Sequence, residues 1–257
     1  AVLEKIPTGP TAAETLREQR GLTSFGARTL PLGRSTIDFG SGYPYYVNGA
    51  ITVGAGTIGN FGFDAGVELR SYFARTDLAM KARLTLYDKA PFSMGVYGTL
   101  GGGTDLLGNS ERNTAFSDVG GQVSLTGLGA VTVTGKAYLN LWSDRHCPEF
   151  KDGAFPSESD PTDTCAAYAN GTLGPSSRER IDTALGGAGK LFERDVGARL
   201  MTAIVVEVAF RQHWNLWAIV EGGLFQSERA AFLSDLYAPM LQEDARRYLR
   251  LGATYKF

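Results

Sequence analysis

The sequence has no uninterrupted apolar run of the roughly 18–20 residues that a membrane-spanning helix needs, so a helical span is excluded. Histidine is scarce: only His146 and His213 are present, which leaves little material for acid–base or metal chemistry. Neither sign of charge is in excess. With 25 Lys and Arg against 27 Asp and Glu, the net charge of −2 gives no electrostatic reason to expect nucleic acid as a partner. There are two cysteines, Cys147 and Cys165, both in a stretch rich in Ser, Asp, Thr, Pro and Gly. A disulfide between them suits an oxidising compartment and would constrain the unfolded chain by about 3 kcal/mol; two separate thiols are the alternative. The opening AVLEKIPTGP lacks a basic segment followed by an apolar core, so a signal peptide was either never present or has been removed.

What is plentiful points to strands and tight turns. The chain carries 33 glycines among 257 residues, and 11% of its residues are aromatic. The dominant pattern is a period of two. In residues 61–73, Phe61, Phe63, Ala65, Val67, Leu69 and Phe73 oppose Asp64, Glu68, Arg70 and Tyr72. In residues 78–87, Leu78, Met80, Ala82, Leu84 and Leu86 oppose Lys81, Arg83, Thr85 and Tyr87. The same alternation returns in 131–142, 198–211, 214–224 and 248–257.

The pattern predicts ten strands near 28–40, 43–54, 60–74, 77–88, 91–104, 112–126, 130–144, 197–211, 214–227 and 246–257, with eight or twelve as alternatives. They are longer than the usual soluble strand and match the 9–11 residues or more of a tilted membrane-spanning strand. Alternate connections are short (56–60, 89–90, 127–129 and 212–213). The remaining connections include the two longest, near 145–196 and 228–245. An even strand number with long loops at one end and short turns at the other is the pattern of a transmembrane barrel. With both termini periplasmic, the long loops lie outside. That parity treats 179–196 as loop with a short helix; read as a strand, it would put the cysteine loop on the periplasmic side.

Alternation alone does not say which face points inward. Three features place the apolar face outward. The polar faces carry large charged side chains, expected to form a lumen network: Arg34, Asp38, Asp64, Glu68, Arg70, Lys81, Arg83, Lys136, Arg199, Glu207, Glu221 and Arg250. The apolar faces lack charge at mid-strand and show no bulky repetition typical of one shared core. Aromatics gather near strand ends, as the headgroup girdles of such barrels require. Phe61, Phe63, Phe92, Phe210, Trp214, Tyr255 and Phe257 are assigned to the periplasmic rim. Phe39, Tyr43, Tyr45 and Phe73 are assigned to the outer one.

The last ten residues, YLRLGATYKF, alternate and end on phenylalanine. They resemble the C-terminal assembly signal of bacterial outer-membrane β-barrels, with Tyr255 and Phe257 as its insertion-signal residues. The resemblance implies export in a Gram-negative cell, a removed signal peptide, insertion by the barrel-assembly machinery, and residence in outer-membrane lipid. It implies no particular activity, because unrelated functions share the architecture.

A search for chemistry finds no catalytic set, cofactor site or metal site, and the expectation is that the protein is not an enzyme. His146 with Asp144 is the one pair that a barrel-embedded hydrolase could use. His146, Cys147 and Cys165 lack a fourth zinc ligand, and Glu158, Asp160 and Asp163 match no calcium loop. In a barrel of about ten strands the inward Arg, Lys, Glu and Tyr side chains would take up most of the interior.

The reading is an all-β, antiparallel up-and-down transmembrane β-barrel at 28–257, preceded by an N-terminal periplasmic or plug segment at 1–27. In that segment, Thr11 and Glu14 have the spacing of a helix-capping box, predicting a short helix over 11–21. Its meagre apolar face favours a solvated leader over a plug. The expected function is a structural or binding module acting through its outer loops or other envelope proteins, with a largely plugged lumen. A narrow channel for small or hydrophobic solutes and a barrel-embedded hydrolase are the alternatives.

Overall fold

The computed structural model describes residues 22–43, 46–72, 75–105, 113–146, 193–226 and 247–257. They form ten strands: β1 (Ser35–Tyr43), β2 (Tyr46–Ile58), β3 (Phe61–Tyr72), β4 (Arg75–Lys89), β5 (Phe92–Asp105), β6 (Asn113–Leu128), β7 (Val131–His146), β8 (Glu193–Arg211), β9 (Trp214–Gln226) and β10 (Arg247–Lys256). Each strand pairs antiparallel with its neighbours in sequence, and β1 closes on β10, giving an up-and-down barrel with no free edge. No helix among the described residues is long and apolar enough to cross a membrane.

Two-residue turns join β2 to β3, β4 to β5, β6 to β7 and β8 to β9. Gly59 (φ 62°) and Gly129 (φ 71°) supply the left-handed backbone that tight hairpins demand. Ser35 and Lys256 lie at this same end, where Phe257 N donates to Ser35 O at 2.9 Å. We call it the turn end.

The faces sort by polarity. Leu69 and Leu139 are exposed outward at 51% and 43%, whereas Glu68, Arg83 and Glu207 are inward and 8%, 4% and 1% exposed. Val67, Met80, Leu100, Val119, Ile204, Val220 and Leu251 continue the outward apolar band. On the outer face of β2–β6 an apolar depression of about 680 Å³ lies over Ala65, Ala82 and Gly98, which are paired in one register row. A closed sheet satisfies every ladder hydrogen bond internally, so an apolar exterior suits hydrocarbon and not water. Phe61, Phe92, Phe210, Trp214 and Phe257 stand exposed around the turn end, as a girdle requires. Phe63 is only half-buried there. Phe39 belongs to neither rim; it sits mid-strand on β1, opposite Gly49 and Ala253.

The first strand differs from expectation. It begins at Ser35, not near residue 28. Pro31 has no N–H for a ladder, and Arg34 N donates to Pro31 O at 3.0 Å across a turn whose Gly33 has φ 78°. Arg34 therefore lies ahead of the strand in this turn, half-buried, and is not a strand-borne lumen charge. Conversely β7 and β8 run further than expected, to His146 and from Glu193, which pair with each other. The helix expected over 11–21, the Cys147–Cys165 disulfide, Tyr45, Phe73 and the loop segments 147–192 and 227–246 lie outside the described residues.

Candidate functional site: the barrel lumen

Residues 22–30 do not belong to the wall. They cross the lumen near the turn end, with Leu22, Ala27 and Leu30 at 6%, 0% and 1% exposure. Irregular backbone in a closed interior must find partners for its N–H and C=O groups, and here inward side chains of the wall supply them. Asn215 Nδ2 on β9 donates to Leu22 O at 2.9 Å. Glu207 Oε1 on β8 accepts from Ser24 N at 3.2 Å, and Thr36 Oγ1 on β1 accepts from the Ser24 hydroxyl at 2.9 Å. Ser124 Oγ on β6 accepts from Ala27 N at 2.7 Å, while Gln122 Nε2 donates to Gly26 O at 3.0 Å. Thr85 on β4 takes Thr29 N at 2.8 Å and gives its own proton to Ala27 O at 2.9 Å. Asp64 Oδ2 on β3 accepts from Leu30 N at 2.8 Å.

Arg83 is the centre of this arrangement. Its Nε reaches Asp64 Oδ1 at 2.9 Å and its Nη2 reaches Asp64 Oδ2 at 2.5 Å. The same guanidinium donates to Gly26 O at 2.9 Å and Thr23 O at 3.2 Å. The planar fork thus binds a carboxylate and two main-chain carbonyls together, which a lysine could not reproduce.

Wall glycines make room for the insert, Gly54, Gly62 and Gly95 among them. A Cβ on Gly54 would lie 1.9 Å from Pro31 O, and one on Gly95 would lie 2.9 Å from Ala27 O. Phe25 points away from the turn end into the lumen. Its ring sits 4.9 Å from that of Trp217, with Lys136 Nζ at 5.7 Å and Lys81 Nζ at 5.9 Å from its centroid. Trp217 also belongs to an inner apolar patch with Ala203, Val205 and Ile219. A Cβ on Gly40 or Gly252 would collide with its indole, at 2.2 and 2.3 Å.

Beyond Phe25 the inward charges pair. Glu68 accepts from Arg70 at 3.0 Å, and Arg70 also lies 3.9 Å from Asp118 and over the Phe116 ring at 5.0 Å. Asn140 donates to Asp118 at 2.6 Å. Glu221 accepts from Arg250 and, at 2.5 Å, from the Tyr138 hydroxyl. Lys81 Nζ is 3.5 Å from Asp38, which accepts from Thr254 at 2.5 Å. Lys136 stands 4.7 Å above the Tyr97 ring and Arg199 5.5 Å above Trp142.

Of the twelve charged residues expected in the lumen, all but Arg34 thus project inward from strands. Their contacts include the Arg70–Glu68, Arg83–Asp64, Lys81–Asp38 and Arg250–Glu221 pairs. The sequence reading placed Thr85 and Asn215 on the polar face without giving them a role, and it missed Phe25, Gln122, Ser124, Trp217 and Ile219. The period of two could have flagged the last two, since Trp217 and Ile219 share parity with inward Asn215 and Glu221. Tyr255 and Phe257 stack edge-on at 4.8 Å, beside Trp214 and His213, at the turn end. The side chains of Asp144 and His146 lie outside the described residues. Among the described residues no group of three or more His, Cys, Asp or Glu could hold a metal ion.

No protein-family model matches the chain, and no curated protein matches it in sequence. Solved structures similar to it include the attachment invasion locus protein Ail of Yersinia pestis, at 11% identity and a TM-score of 0.35, over 88% of this chain and 99% of that one. The KdgM porin is 10% identical with a TM-score of 0.36, over 86% and 99%. An active-site variant of outer membrane phospholipase A from Escherichia coli is 7% identical with a TM-score of 0.32, over 95% and 96%.

Proposed function

We propose that the protein is an integral outer-membrane β-barrel with a closed lumen, serving as a structural or interaction module. The observation that carries closure is the insert: residues 22–30 hydrogen-bond to inward side chains of β1, β3, β4, β6, β8 and β9 across the turn end. Paired charges occupy the space beyond it. In this reading the turn end and both termini face the periplasm, and the long loops face outward, where they meet ligands or neighbouring envelope proteins. Outer-membrane lipid covers the apolar band, and the barrel-assembly machinery inserts the chain. Most of the polar side chains around the turn end bond to the chain's own residues 22–30, and we assign the lumen no catalytic role and no cofactor.

Planar-bilayer recording tests this reading. The purified protein should insert without a steady current; a stable open-pore conductance from the intact chain contradicts closure. The rival reading, a narrow channel for small or hydrophobic solutes, requires a path past the insert, so its signature is a steady current from the intact chain with residues 22–30 in place.

A further inference from the structure

The contacts that hold the insert have an unusual bias. Nearly all run to main-chain atoms: the amides of Ser24, Ala27, Thr29 and Leu30 and the carbonyls of Leu22, Thr23, Gly26 and Ala27. The wall therefore reads mainly backbone, held in the bends of residues 24–28. One side chain is read as a shape: Phe25, seated against Trp217 beneath the Lys81 and Lys136 ammonium groups. Arg28 contributes at the surface only, in a half-exposed ion pair with Asp88.

The wall also has polar capacity that the insert does not use. Thr52 Oγ1, Ser93 Oγ, Gln122 Oε1 and Glu207 Oε2 are buried without a hydrogen-bond partner among the described residues. Those residues are 1%, 0%, 2% and 1% exposed; Gln122 and Glu207 bond to the insert through their other atoms, and Thr52 and Ser93 pair with Thr36 and Ser124, which bond to it. Groups buried in this way are costly unless something satisfies them. A peptide with different side chains or a shifted register could do so.

We propose that the turn end of the lumen is a peptide-binding site, occupied in this chain by its own residues 22–30. The ligand class is a short bent peptide with small residues flanking one aromatic anchor, as residues 24–28 bend here. The proposal rests on the closed-lumen reading above, because it takes the insert to be the resident ligand. Side-chain hydrogen bonds to the main chain supply sequence-tolerant affinity, and the Phe25 pocket supplies selectivity. The turn at Leu32–Gly33 is the natural point of release: Leu32 is 74% exposed, and a side chain on Gly33 would meet nothing within 4 Å.

The test places a protease recognition sequence between Leu32 and Gly33 of the full chain, which is folded first and then cleaved. Bilayer current is recorded before cleavage, so failure of closure is scored separately. The probe is a fluorescent synthetic peptide with the sequence of residues 22–32. The expected result is that the cleaved segment stays with the barrel through gel filtration and that the probe exchanges into its place. A Phe25→Ala probe should bind at least about tenfold more weakly, as for loss of a buried aromatic anchor. An Arg28→Ala probe should bind within about threefold, as for loss of an exposed ion pair. Absence of exchange, binding indifferent to Phe25, or loss of the compact barrel on cleavage would each overturn the proposal, whatever the current before cleavage.

Discussion

Arg83→Met is the most informative single substitution. It keeps the stem and deletes the guanidinium. Two things then lose partners in a closed interior. One is the Asp64 carboxylate, which is 0% exposed and loses both of its contacts to Arg83, keeping only Leu30 N. The other is the pair of carbonyls, Thr23 O and Gly26 O, of which only Gly26 O retains a donor, from Gln122. Breaking a buried ion pair from one side costs about 3–5 kcal/mol. An orphaned buried carbonyl costs a further 1–3 kcal/mol or so, and the two are not additive because they share one guanidinium. The expected loss is about 4 kcal/mol in reversible urea unfolding in lipid vesicles. The companion Arg83→Met/Asp64→Leu removes both charges and should recover part of that loss, because the uncompensated carboxylate is gone. An Arg83→Met protein within about 1 kcal/mol of the parent, or a double variant no better than the single, would refute the reasoning that this pair anchors the insert.

Three further outcomes follow from the same geometry. Gly54→Val places a side chain where Pro31 O and Leu30 O now lie, so it should expel the insert and turn a silent protein into a conducting one; continued silence in bilayers would separate the insert from closure. Trp217→Ala removes a 3%-exposed indole from between Phe25 and the Gly40–Gly252 pair and should cost about 3–5 kcal/mol, measured by urea midpoint, with no effect below 1 kcal/mol admissible. Val67→Arg, on the outward face of β3, should cost about 2–4 kcal/mol in a bilayer, whereas an ordinary water-facing site would tolerate it to within about 0.5 kcal/mol.

Most of the wall was legible because a strand in a barrel separates its two environments residue by residue. Leu69 meets one solvent and Glu68 and Arg70 the other, so the pattern is written directly into the chain. The two-residue turns were legible for a similar reason: where charge alternation stops, Gly59 or Gly129 marks the reversal. The strand expected near 28–40 starts later because Pro31 and Gly33 preclude a ladder ahead of Ser35. The insert was harder to see. A plug was expected to show an apolar face, but the space it fills is lined by Asp64, Thr85, Ser124, Glu207 and Asn215. A short run of Thr, Ser, Gly and Ala suits such a wall, and the same composition reads as a solvated leader when the chain stands alone. Nor does any sequence pattern state that Arg83 would serve Asp64 and two distant carbonyls together; that convergence exists only once the barrel has closed.

The orientation of the two faces underlies all of this, and spin labelling reads it most directly. Single cysteines bearing a nitroxide at each position from 65 to 71, in lipid vesicles, should show a period of two. Labels at 65, 67, 69 and 71 should collide readily with lipid-dissolved oxygen, while those at 66, 68 and 70 should be shielded from it. Uniform accessibility along β3, or preferential collision of the odd positions with a water-soluble nickel reagent, would contradict the placement of apolar side chains in lipid and charged ones within.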